Sequence, residues 1–127
     1  MNDAEENKPR ILIVDDIVVN LKLLRQILRD DFLISFAPGG VRALEVVALQ
    51  KPDLILLDIM MPDMDGISVC RHLRENPETA AIPVIFISAN EEAMADIAAC
   101  GGGGPVDCIV KPVNAGVLLT KIKQFLG

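Results

Sequence analysis

"ILIVDDIVVNL", Ile11 to Leu21, joins an unbroken apolar run to two adjacent carboxylates, Asp15 and Asp16. Four apolar residues in a row, with no polar alternation, read as a strand covered on both faces, as in parallel sheets. The acids stand where such a strand would emerge. A second run, "DLILLD", ends in the same way at Asp58. "FLISF" at 32–36, "PVIFIS" at 83–88 and "DCIV" at 107–110 bring the strand-like runs to five.

The segments between them carry helical spacing. Leu21, Leu24 and Leu28 form one stripe, Leu44, Val47 and Ala48 a second, and Val69, Cys70 and Leu73 a third. Leu118, Ile122, Phe125 and Leu126 form another, and "EEAMADIAAC" at 91–100 reads as a helix whose apolar face is mostly Ala. Strand and helix alternate, which predicts an α/β fold: a single doubly wound, five-stranded parallel sheet with helices on both faces. Pro52 and Pro83 precede strands, Pro77 closes the third helix, and Asn114 is placed to cap the last. "GGGG" at 101–104 is the one low-complexity feature. Residues 1–9 read as a flexible tail and residues 10–127 as one domain.

Composition narrows the function classes. Of the 127 residues, 51% are hydrophobic, with four Phe and no Trp or Tyr, so the core must be aliphatic. No apolar stretch approaches the ~20 residues of a membrane span. The polar, acidic start lacks the pattern of a secretory signal. A net charge of −6 argues against a general nucleic-acid surface. Cys70, Cys100 and Cys108 have no metal-type spacing, and read as reduced thiols of a cytoplasmic protein.

Doubly wound sheets bind ligands beyond the carboxyl ends of their strands. Those ends carry Asp15 and Asp16, Asp58, Ser88 and Lys111. Clustered carboxylates repel one another unless a pKa rises or a cation neutralises them. An all-oxygen set suits Mg²⁺, and a lysine with a hydroxyl opposite it suits an anion such as phosphoryl. Taken singly, each residue has a plainer explanation; Asp16 reads as a cap for a helix starting near Val18. Five such residues at five matching positions favour one site.

The set "VDD", "LLDIMMPDMDG", "FISA" and "VKP" resembles the receiver domain of two-component response regulators, from about Arg10 to Leu126. The resemblance implies strand order 2-1-3-4-5 and makes Asp58 the phosphoacceptor, supplied by a sensor histidine kinase or phosphotransfer protein. It implies that Asp15, Asp16, Asp58 and the backbone carbonyl of Met60 hold Mg²⁺. Ser88 would hydrogen-bond the phosphoryl oxygen, Lys111 would pair with it, and Lys111-Pro112 would be a cis bond. Such a domain catalyses its own phosphorylation and dephosphorylation, with no separate small-molecule substrate. It controls an effector or output domain, or a homodimer, through the face of the fourth helix, fifth strand and last helix. This chain departs from the pattern at the switch, where Cys108 replaces the usual aromatic residue that works with Ser88. Its glycine tract is also one residue longer.

Other readings fare worse. "DMDG" at 63–66 fails as a calcium loop, because Met61 and His72 would fall at ligand positions 1 and 12. Asp63 and Asp65 read instead as turn formers, with Gly66 opening the third helix. "DDIVVN" is unlike a flavin phosphate loop. A haloacid-type phosphatase would place its second Asp two residues after the first, whereas Asp16 adjoins Asp15. Lone His72 reads as a solvated side chain. The competing function is a protein-docking module with little phosphorylation.

Overall fold

A computed structural model describes residues 8–88 and 104–126. The first seven residues of the expected tail, the helix expected at 91–100 and most of the glycine tract lie outside the described residues. Five parallel strands form one sheet in the order β2-β1-β3-β4-β5. They are β1 (Arg10–Val14), β2 (Leu33–Ala37), β3 (Leu54–Asp58), β4 (Val84–Ser88) and β5 (Val106–Val110). The described helices are α1 (Val18–Leu28), α2 (Gly40–Gln50), α3 (Gly66–Glu75) and α4 (Ala115–Leu126). The strand runs were displaced by a residue at some ends. Pro83, which has no N–H to donate, stays outside β4. Phe32 belongs to the turn after α1, its N–H bonded to the Leu28 carbonyl.

Side chains alternate across each strand, so every strand feeds two cores. Leu12, Val14, Ile55, Leu57, Val84 and Phe86 pack with Val46 and Val47 of α2 and Val69 and Leu73 of α3. Ile11, Ile13, Leu54, Leu56, Ile85 and Ile87 pack with Leu21, Leu24 and Leu28 of α1 and Leu118 and Ile122 of α4. β3 and β4 are buried along their whole length, which explains their unbroken apolar sequence. The stripes of α1, α3 and α4 face the sheet as expected. That of α2 is rotated: Ala43, Val46 and Val47 are buried while Ala48 is exposed. No helix among the described residues is long and apolar enough to cross a membrane.

At the rim where the strands begin, the Arg74 guanidinium donates to the carbonyls of Ala80, Ile82 and Pro105, at 3.1, 2.8 and 2.7 Å. It ties the end of α3 to the entries of β4 and β5. A Cβ on Gly104 would fall 2.1 Å from Arg74 Nε, so this glycine leaves room for the clamp.

Candidate functional site

The opposite rim gathers the acids. Val14 and Leu57 are register partners on adjacent strands, so the residues that follow, Asp15 and Asp58, leave the sheet side by side. Asp15, Asp16 and Asp58 each offer a carboxylate oxygen, all within 4.8 Å of one another. Asp15 and Asp58 are buried and Asp16 is exposed. Three oxygen donors with no His or Cys among them fit a small hard cation such as Mg²⁺.

Asp16 does not cap α1, whose N-cap position is Ile17 with no side-chain bond. Asp15 takes the local bonds instead. Its Oδ1 accepts from the Ile17 N–H at 2.9 Å, and its Oδ2 accepts from Asn20 Nδ2 at 3.1 Å. Asp16 thereby stays open to solvent and to the cluster. Sequence reasoning missed Asn20 as Asp15's partner; its signal was a polar residue four before Leu24 on an otherwise apolar turn.

Burial pushes the Asp58 carboxyl up from its ordinary value, and the neighbouring Asp15 charge adds to the rise. Lys111 opposes it, with Nζ 3.9 Å from Asp58 Oδ1, as do hydrogen bonds from the Met60 and Ile59 N–H groups. Met60 thus meets Asp58 through its backbone, while its side chain is 79% exposed. Ser88 is buried at the end of β4, and its carbonyl accepts from the Lys111 N–H at 2.7 Å. Lys111-Pro112 is a cis bond. Asn114 caps α4, accepting from the Val117 N–H at 3.0 Å.

The loop after Asp58, residues 59–65, turns back sharply. The Gly66 N–H donates to the Ile59 carbonyl at 2.9 Å, and a Cβ on Gly66 would lie 2.2 Å from the Asp58 carbonyl oxygen. Only glycine fits there. Asp65 caps α3 by accepting from Ser68 N–H. Asp63 is more than a turn former: it accepts from the Gly40 and Val41 N–H groups, capping α2 from 23 and 22 residues away.

Cys108 lies on β5 opposite Phe86, in the core shared with α2 and α3. Burial and the adjacent Asp107 push its thiol up, against the pull of Lys121, which keeps it a neutral packing group. Lys121 Nζ sits 2.8 Å from Asp107 Oδ2 and joins α4 to β5. Beside the acids, a groove of about 480 Å³ runs between α1 and residues 111–113, lined by Leu23, Leu24, Ile27, Ile87, Pro112 and Val113. Ile17, Val18, Val19 and Leu23 leave α1 with an exposed apolar surface next to it.

Residues 11–123 match the family model of the response regulator receiver domain. The chain belongs to that family. Among curated relatives, this receiver is 40% identical over 117 residues to response regulator PleD of Caulobacter vibrioides, covering 91% of this chain and 26% of PleD. It is 38% identical over 121 residues to a probable cyclic di-GMP phosphodiesterase of Vibrio cholerae, again covering 91% and 26%. The receiver therefore spans about a quarter of the length of each. Among solved structures, a signal receiver domain of a histidine kinase from Syntrophus aciditrophicus superposes with a TM-score of 0.83 at 32% identity, covering 93% of this chain and 89% of that one. A putative response regulator from Chloroflexus aurantiacus gives 0.85 at 28%, covering 94% and 98%. The strand order 2-1-3-4-5 agrees with that assignment.

Proposed function

We propose that the chain is a phosphorylation-controlled switch of a two-component system, with Asp58 taking a phosphoryl group from a phosphohistidine on a partner kinase or phosphotransfer protein. The observation that carries this reading is the cluster itself: three carboxylates within 4.8 Å, with the Lys111 ammonium 3.9 Å from Asp58. Bound Mg²⁺ would offset negative charge on the phosphoryl oxygens, held by Asp15, Asp16, Asp58 and the Met60 carbonyl.

The Asp58 carboxylate forms a bond to phosphorus as the donor's P–N bond breaks, and the electron pair returns to the donor imidazole. Lys111 and the two loop N–H groups favour the ionised carboxylate that this step needs, against the burial that disfavours it. The Ser88 hydroxyl and the Lys111 ammonium then hold the phosphoryl oxygens. Water later cleaves the acyl phosphate, restoring Asp58 and releasing phosphate. Because the Lys111 N–H is bonded to the Ser88 carbonyl, a pull on either moves the β4 and β5 ends together. That movement reaches the β5–α4 surface and, through it, an output domain, an effector or a second copy. The exposed apolar face of α1 supports docking of the partner's helix beside the site. Cys70 and Cys108, whose thiols are not joined in disulfides, accord with a cytoplasmic setting.

Incubation with Mg²⁺ and a small acyl phosphate, followed by intact-mass measurement, tests the reading. The wild type should gain one phosphoryl group and Asp58→Asn none. A wild type that gains nothing would favour the docking module instead.

A further inference from the structure

The loop that leaves Asp58 is gripped by carboxylates at its far end. Asp65 caps the helix that follows it, and Asp63 reaches sideways to cap α2. The N-cap residue of α2 is Gly39, which has no side chain to offer, so Asp63 supplies what the helix start lacks. The fit is close. A Cβ on Gly39 would come within 2.9 Å of both Asp63 oxygens, and one on Gly40 within 2.8 Å of Met64 Cβ. Two glycines in succession let the loop lie directly on the helix end.

The same loop carries the backbone of Met60, whose N–H already bonds to Asp58. Its two ends are tied by the Gly66 to Ile59 bond, and Asp63 bonds it to the start of α2. Resting on the proposed function, we infer that Asp63 is a positioning residue, making the metal-binding loop and the start of α2 one thermodynamically linked unit. A cation that holds Asp58 and the Met60 carbonyl narrows the motion of residues 59–65, which strengthens the Asp63 cap. By reciprocity, a secure cap presents the loop ready for the cation. Asp63 touches neither phosphoryl group nor metal; it acts through the loop.

Mg²⁺ titration of the full chain, with amide exchange read at Gly40 and Val41, tests this. Asp63→Ala should weaken Mg²⁺ affinity by about threefold to tenfold, at or below the low end for loss of an outer-shell partner. Asp63→Asn keeps an acceptor oxygen and should recover most of the loss. Val46→Ala removes buried contact from the same helix without touching the loop, and should leave Mg²⁺ affinity at the wild-type value. In the wild type, Mg²⁺ should slow exchange at Gly40 and Val41; in Asp63→Ala it should not. Unchanged affinity in Asp63→Ala, or an equal loss in Val46→Ala, would overturn the inference while leaving the proposed site intact. A wild type that binds no Mg²⁺ would overturn the proposed site, and the inference with it.

Discussion

Asp58 is held in a tug between environment and neighbours, and that balance has a consequence for stability. Its carboxyl is raised above the ordinary value near 3.8 by burial first and Asp15 second. The folded chain therefore keeps a proton that the unfolded chain releases, so stability falls as pH rises from about 4 through the folded-state value. Asp58→Asn removes the charge and the penalty together. In metal-free buffer the variant should melt above wild type at neutral pH, and its advantage should shrink on acidification through that window. Thermal melts across pH check this; an advantage that grows toward acid would contradict it. At this scale the sequence was most legible where a polar residue interrupts an apolar run, as at Asp15, Asp58 and Lys111. It was least legible for Asp63, whose partners are more than 20 residues away. No local pattern encodes a bond across two loops.

Elements were legible to the extent that burial imposes a period. Leu21, Leu24 and Leu28 had to face the sheet, and they do. Ala48 fell outside the buried stripe of α2, because alanine carries too little area to orient a helix against Val46. Local joints such as the Asn114 cap were legible, while joints made across the sequence were not. Arg74 is the clearest case, since a charged residue near a helix end reads as solvated until its three carbonyls are seen. Arg74→Ala should strip a donor from three part-buried carbonyls, of which Pro105's keeps another, the Val84 N–H, and cost about 2 kcal/mol. Arg74→Lys should recover less than half, because an ammonium lacks the planar fork that spans them. Urea unfolding measures both. Mg²⁺ affinity should be unchanged in either variant, because the clamp sits at the rim away from the acids.

For the whole molecule, the alternation of apolar runs and helical stripes gave the layers, while the strand order came from resemblance to a family. Periodicity says that a strand is covered on both faces, not which strand lies beside it. The assembled sheet places unbalanced acids at one rim, and relieving them should be visible in global stability. Mg²⁺ at ten times its dissociation constant should raise the unfolding free energy by about 1.4 kcal/mol, from mass action on the folded state alone. Asp16→Ala should abolish that gain, which calorimetry with and without Mg²⁺ would show. A full gain in the variant would place the cation elsewhere.

The order in which the site's parts occur along the chain also matters during synthesis. Asp15, Asp16 and Asp58 all belong to the first half, at the ends of strands that pair directly with one another. Ser88 and Lys111 come later, and Lys111 follows the last strand of the sheet. A nascent chain can thus build its acidic cluster on a three-stranded sheet well before its countercharge leaves the ribosome. The acids meet first, and the lysine that quiets them arrives only after the last strand.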